Sequence, residues 1–342
     1  MRLLLTTDAV GGVWRYSVDL ALGMAALGVE PVLAVLGPAP SQDQVAEAAG
    51  VRLVATGLPL DWTAAGSGEL AQASEKLAAL AALLGVDGIH LHSPALVGTA
   101  RWPAPVVAVA HSCVGTWWRA VRGGRPPDDF GWRIAATEAG LRRASAVIAP
   151  SAAHAAAMRA VYGPVGIHVV HNGAAPPASG GVRARAVLTA GRLWDEGKGL
   201  AALDRAAARL DAPVRSAGPR QGPNGAAATL PHIEDLGTLD KPGMVRAYAA
   251  AQVYCSMAAY EPFGLSVLEA AGAGMRLVLS DIPTFRELWD GVAVFVSEEG
   301  LVEALGKALD AAADGEVQVR AGRYTLEKMI DGTLAVHSGA CG

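Results

Sequence analysis

Two carboxylates eight residues apart, Glu261 and Glu269, bracket the run Pro262-Phe263-Gly264-Leu265-Ser266-Val267-Leu268. Upstream, two cations, Arg192 and Lys198, share the run Gly191-Arg192-Leu193-Trp194-Asp195-Glu196-Gly197-Lys198-Gly199. Paired carboxylates at this spacing can accept hydrogen bonds from a hydroxyl-rich ligand, one at its outer end and one further along. Cations at the start of a helix oppose its dipole, so their presence there points to a bound anion. Arg192 can grip phosphate oxygens bidentately, and Lys198 adds a point charge. The plainer alternatives are glutamates solvated near a helix start, where acids are favoured, and a surface Arg/Lys pair bridged to Asp195 or Glu196.

These residues need elements to hold them. Pro262 and Gly264 punctuate a loop after the apolar run Val253 to Ala259, and Leu265, Leu268 and Ala271 recur at helical spacing beyond it. A strand, a sharp turn and a helix follow in that order, which presents the amides of Phe263, Gly264 and Leu265 to a phosphate. Arg192 and Lys198 fall between the strand Val187 to Ala190 and the helix Gly199 to Leu210. Gly11-Gly12-Val13 follows the first strand, Leu3 to Thr7, and precedes a helix expected from near Tyr16. Glycine there permits positive φ and close approach of a ligand to the backbone.

Short β-rich runs alternate with alanine-rich helical segments along the whole chain, the pattern of parallel sheets covered on both faces. In the first half the expected strands are Leu3 to Thr7, Val32 to Leu36, Val51 to Ala55, Gly88 to His92, Val106 to His111, Ala146 to Ala149 and Ile167 to His171. Helices are expected over Tyr16 to Leu27, Glu69 to Leu84 and Trp132 to Arg143. The run from Asn172 to Gly181 reads as a linker, after which the plan restarts and continues to Ala313, with a Gly- and Pro-rich loop through Ala226. A last amphipathic stretch runs from about Arg320 to Val336.

At 342 residues the chain fits two domains. It is 52% hydrophobic and 18% charged, so a folded, well-buried protein is expected. Its net charge of −4, with no basic run, argues against a nucleic-acid partner. Cys113, Cys255 and Cys341 are odd in number and widely spaced, as expected of a reducing cytoplasm. No signal peptide or spanning segment is read, and peripheral contact with a membrane stays compatible. Gly191 to Lys198 is not a Walker A loop, and no Gly-x-Gly-x-x-Gly occurs, which disfavours NTPase and dinucleotide-dehydrogenase chemistry. His90, His92, His154, His168 and His171 lack metal-ligand spacing with carboxylates and no Asp-x-Asp appears, so no metal is expected.

The paired-glutamate run with Pro-Phe-Gly after the first glutamate resembles the signature of the retaining glycosyltransferases of family 4, of the GT-B fold. The likeness spans Gly11-Gly12 to the last helix. It implies an α/β chain of two Rossmann-like domains whose parallel sheets face each other across a cleft. Residues 1–175 would form the acceptor-side domain and 183–318 the nucleotide-sugar domain, with 319–342 crossing back to the first. The implied reaction moves a hexosyl unit from a nucleoside diphosphate sugar to a carbohydrate, lipid-linked or other hydroxyl acceptor, with no cofactor.

By the same resemblance, Arg192 and Lys198 neutralise the diphosphate, Glu269 takes the ribose, Glu261 holds the donor sugar, and Gly11 and Gly12 face donor phosphate and acceptor. His111 would stand near the donor sugar, at a strand end, where an imidazole of ordinary pKa also permits proton transfer. Trp117 and Trp118 would stack on an acceptor sugar from a loop, the plainer alternative being packing of that loop on the core. Rival readings are an epimerase or phosphorylase of the same fold, or a non-catalytic nucleotide-sugar-binding protein.

Overall fold

The computed structural model describes residues 1–175, 183–222, 225–312 and 315–341. Residues 176–181 of the expected linker, 223–224 of the loop toward Ala226, and Ala313 lie outside the described residues. The chain divides into two units, Met1–Asn172 with Leu326–Gly342, and Gly173–Thr325.

The first unit is built on seven parallel strands: β1 (Arg2–Asp8), β2 (Glu30–Leu36), β3 (Arg52–Ala55), β4 (Gly88–Leu91), β5 (Val106–Val109), β6 (Ala146–Ala149) and β7 (His168–Val169). They lie in the order β3-β2-β1-β4-β5-β6-β7. The inner strands are largely apolar and buried because helices cover both faces, and Leu3, Leu4 and Leu5 of β1 are fully buried. The final helix, Leu326–Cys341, belongs to this unit and packs on β5 and β6 and on the helix Gly12–Ala26.

The second unit repeats the plan with six parallel strands: β8 (Ala184–Ala190), β9 (Val214–Ala217), β10 (Glu234–Asp235), β11 (Ala251–Ser256), β12 (Arg276–Ser280) and β13 (Ala293–Val296). Their order is β10-β9-β8-β11-β12-β13. In each unit the strand order reverses beside the first strand, between β1 and β4 and between β8 and β11. Loops leaving the carboxyl ends of such a pair diverge and leave a crevice, which is where open α/β sheets bind ligands.

Two expectations are corrected here. The first helix begins at Gly12, not near Tyr16, with Gly11 as its N-cap at φ 89°. Gly12 is therefore the first helical residue. Trp117 and Trp118 sit on a helix, Val114–Val121, not on a loop, because Cys113 caps it through Sγ accepting from the Thr116 amide.

The helix Asp128–Arg143 shows how closely the first unit is packed. A Cβ on its Gly140 would lie 1.8 Å from the Pro94 carbonyl oxygen, whereas a Cβ on Gly131 meets nothing within 4 Å. Gly140→Ala is expected to destabilise the protein by about 1–3 kcal/mol through overpacking, and Gly131→Ala to stabilise it by about 0.5–1 kcal/mol. Urea unfolding of both variants against the parent checks the opposite signs.

Candidate active site

In the second unit, the two motif loops leave the two strands that flank the reversal point. The loop after β8 carries Arg192 and Lys198, and ends in a short 3-10 turn, Glu196–Lys198, before the helix Leu200–Ala207. The loop after β11 carries Glu261 and leads into the helix Leu265–Gly272. Gly197 O joins the loops by accepting from the amides of Ala259 (2.9 Å) and Tyr260 (3.2 Å). Gly199 allows this proximity: its φ is +65°, and a Cβ there would lie 2.0 Å from Met257 O.

This seam brings the predicted ions together. Lys198 Nζ donates to Glu261 Oε2 at 2.6 Å, with the two side chains 19% and 13% exposed, shielded yet reachable. An ammonium has three N–H donors, so further ones remain for a ligand. Arg192 Nη2 pairs with Asp195 Oδ2 at 3.0 Å, and the same carboxylate accepts from the Gly197 amide through Oδ1. The bridge to Asp195 weighed against anion binding is thus present, and it also aims the guanidinium, which lies over the Trp194 ring at 5.7 Å.

The helix Leu265–Gly272 is capped by Gly264 at φ 93°, and its first internal bond runs from Leu268 N to Gly264 O at 3.0 Å. The amides ahead of that bond belong to Gly264, Leu265, Ser266 and Val267, which corrects the expected set of Phe263 to Leu265. The left-handed turn at Gly264 redirects the chain after Phe263. Phe263 is buried, with its ring edge-on to Tyr324 at 5.8 Å. Glu269 lies further along this helix, where Tyr248 Oη donates to its Oε2 at 2.9 Å.

Sequence reasoning missed Ser266, Tyr248 and Tyr254. Tyr254 Oη lies 2.8 Å from Ser266 Oγ and 3.2 Å from Ala190 O, tying the end of β8 to the start of the Leu265–Gly272 helix. For Tyr254 the available signal was a tyrosine between apolar neighbours in a strand, since a buried phenol needs a partner for its hydroxyl.

In the first unit, Gly11 and Gly12 leave the carboxyl end of β1, beside His92 at the end of β4. His111 stands past the end of β5, with its ring edge-on to Tyr16 at 4.3 Å and its Nε2 buried without a hydrogen-bond partner among the described residues. Burial, with His92 and His154 nearby, pulls the His111 pKa down to about 3. The lowered pKa makes His111 a weaker base than the ordinary imidazole expected from the sequence, and a neutral group near pH 7 suited to a hydrogen bond.

His111, partly exposed itself, adjoins a buried set. His90 lies between Tyr16 Oη (3.3 Å) and His337 Nε2 (3.1 Å), and His92 Nδ1 meets Thr6 Oγ1 at 2.8 Å. Burial lowers His92 and His337 to about 4 and holds His90 well below its ordinary value, with His337 adding to the last. Trp117 and Trp118 are half-buried. Trp118 Nε1 donates to Gly123 O at 3.0 Å, and its ring packs on Phe130 at 5.4 Å, so this tryptophan also serves local packing. Among the described residues no group of three or more His, Cys, Asp or Glu side chains is arranged to hold a metal ion, and no helix is long and apolar enough to cross a membrane.

Two family models match the chain in succession: Glycosyltransferase Family 4 over residues 10–176 and Glycosyl transferases group 1 over residues 184–314. The phosphatidyl-myo-inositol mannosyltransferase of Mycobacterium leprae is 29% identical over 335 residues, covering 91% of this chain and 86% of that protein. Among solved structures, sucrose-phosphate synthase from Thermosynechococcus elongatus superposes with a TM-score of 0.74 at 18% identity, over 99% of this chain and 97% of that one. Anabaena HepE in complex with UDP and glucose gives 0.73 at 16% identity, over 99% of this chain and 100% of that one. At these identities the two structures establish the shared fold.

The buried histidines make the first unit sensitive to acid. Their folded-state pKa values lie below the ordinary value near 6.5, so the unfolded chain binds more protons as the pH falls beneath it. The stability is present above about pH 6.5 and is lost as pH falls toward 4. Between pH 7 and 5 His92 and His337 are each expected to withdraw about 2 kcal/mol, with His90 acting in the same direction. Urea unfolding across that range should show the loss, and His92→Asn, which takes up no proton there, should flatten the slope.

Proposed function

The chain belongs to the family 4 glycosyltransferases, of the GT-B fold, and from that premise we propose that it moves a hexosyl unit from a nucleoside diphosphate sugar to a hydroxyl acceptor, with retention of configuration and without a metal or other cofactor. The observation that carries this reading is the Lys198–Glu261 pair, 2.6 Å apart at the reversal point of the second sheet. It stands with Arg192 and the N-terminus of the Leu265–Gly272 helix, an arrangement that suits a diphosphate next to a sugar.

The physical problem in such a transfer is charge. As the bond from the anomeric carbon to the diphosphate oxygen lengthens, negative charge gathers on the diphosphate and positive charge on the sugar. Arg192, Lys198 and the amides of Gly264 to Val267 stabilise the departing diphosphate, and Glu261 stabilises the sugar. Because these donors are already oriented, little reorganisation is needed when the charge develops. The acceptor oxygen then bonds to the anomeric carbon on the face the diphosphate leaves, and the acceptor proton passes to the departing phosphate oxygen. Glu269 receives the ribose hydroxyls. In the first unit, neutral His111 offers a hydrogen bond to a sugar hydroxyl, and Trp117 and Trp118 form the acceptor side. The mycobacterial relative is named for transfer to phosphatidyl-myo-inositol, which supports a lipid-linked or polyol acceptor here and a peripheral membrane contact from the cytoplasm.

A thermal-shift panel of UDP, GDP, ADP and their sugar conjugates, with and without EDTA, tests the donor site. One nucleotide family should raise the melting temperature, by the equivalent of about 2.7 kcal/mol at a hundredfold excess over Kd. The shift should survive EDTA; loss of the shift in EDTA would overturn metal independence. Glu261→Ala is expected to lower kcat about a hundredfold, and Lys198→Ala to raise donor KM as well as lower kcat. Normal turnover in either would sink the assignment. Trp117→Ala should raise the acceptor KM more than the donor KM, and equal effects would assign it to folding alone.

A further inference from the structure

We infer that Tyr248 is a positioning residue for donor binding: its buried phenol holds the Glu269 carboxylate in the orientation that receives the ribose. The inference rests on the reading above that Glu269 takes the ribose hydroxyls, and it names the residue that makes Glu269 selective.

Tyr248 is only 1% exposed and lies in the helix Lys241–Ala250, on the side packed toward β8. That helix is anchored at its start, where Asp240 Oδ1 accepts from the Gly243 amide at 2.7 Å and Pro242 occupies the first turn. Near its other end the Tyr248 ring is tilted against the Tyr254 ring, with centroids 6.3 Å apart. Two neighbouring elements thus fix the phenol, which lacks freedom of its own. It projects its hydroxyl onto Glu269 Oε2 at 2.9 Å from an element 21 residues upstream.

The chemistry of the pair is asymmetric. A phenol has one proton to give, and an ionised carboxylate accepts only, so the direction of the bond is settled. The bond orients the carboxylate, and since each of its two oxygens carries two lone pairs, accepting from a ligand hydroxyl is compatible with the Tyr248 bond. A glutamate side chain has several rotatable bonds, and an unheld one would lose much of its freedom on engaging a ribose. The Tyr248 bond supplies that order before the ligand arrives, which is how preorganisation raises both affinity and discrimination. A site built to hydrogen-bond a ligand hydroxyl also rejects the analogue that lacks it. Tyr248 therefore bears on the choice between ribose and deoxyribose without touching either.

The experiment measures Kd, by calorimetry on the full chain, for whichever of UDP, GDP and ADP binds and for its 2′-deoxy and 3′-deoxy counterparts. The parent is compared with Glu269→Ala and Tyr248→Phe. The parent should favour the ribonucleotide by roughly tenfold or more over at least one deoxy analogue, and Glu269→Ala should erase the preference. Tyr248→Phe keeps the ring and removes only the hydroxyl, and should reduce the preference by roughly three- to tenfold. A preference that collapses in Glu269→Ala yet stands undiminished in Tyr248→Phe overturns the positioning role, whatever Tyr248→Phe does to the melting temperature. No preference in the parent, with no effect of Glu269→Ala, overturns the ribose role of Glu269 and the inference with it.

Discussion

One carbonyl oxygen, Gly197 O, holds the second unit's site in register. It accepts from the consecutive amides of Ala259 and Tyr260, and so fastens the loop after β8 to the loop after β11. The loops are distant in sequence but leave neighbouring strands, because the order of the sheet reverses between them. With both stems fixed, Lys198 and Glu261 meet without either long side chain having to search. An exposed Lys–Glu pair usually contributes little, since holding two flexible side chains offsets much of the attraction. Here the backbone has already brought the stems together, and both side chains are largely shielded. The constraint falls on glycine: at Gly199 a side chain would meet Met257 O in a backbone conformation that L residues rarely adopt.

The cations at this site are neutralised within the unit. Arg192 is balanced by Asp195 and Lys198 by Glu261. A shielded cation without a partner would be costly, and removing one member of such a pair leaves the other uncompensated. Internal pairing solves that problem and at the same time fixes where the donors point. Some attraction for an anion is given up, and direction is gained. For a reaction in which charge appears on the leaving group only as the bond breaks, donors aimed in advance matter more than raw attraction.

Much of this was legible in the sequence, for reasons particular residues show. Strands buried on both faces announce themselves as short apolar runs, so the positions of β1, β2 and β6 follow from composition and spacing. The four ionic residues of the second unit were legible because Gly and Pro mark the turns that carry them. The Gly12 start of the first helix was hidden because glycine has poor helix propensity, and only the Gly11 backbone turn and the packing of the helix behind it allow it there. Trp117 and Trp118 looked like loop residues because their helix spans only eight residues and is capped by a cysteine, an unusual choice. Tyr248 left no motif at all, and Tyr254 left only its place between apolar neighbours in a strand. Their importance lies in contacts across 21 and 12 residues, and these exist only once the helices pack.

The polar chemistry of the two units differs in kind. The second collects full charges, each with an internal counterion, around a helix N-terminus. The first collects imidazoles so buried that they stay neutral, with His90, His92 and His337 tied to one another or to hydroxyls. A neutral imidazole offers one donor and one acceptor and carries no net field. Charged groups suit a diphosphate, whose own charge repays their desolvation. Neutral hydrogen-bonding groups suit sugar hydroxyls, which would gain little from a full charge and lose specificity to competing anions. The division follows from burial: at the carboxyl ends of β4 and β5 a charged residue would need a counterion, and imidazole keeps a polar group there without one.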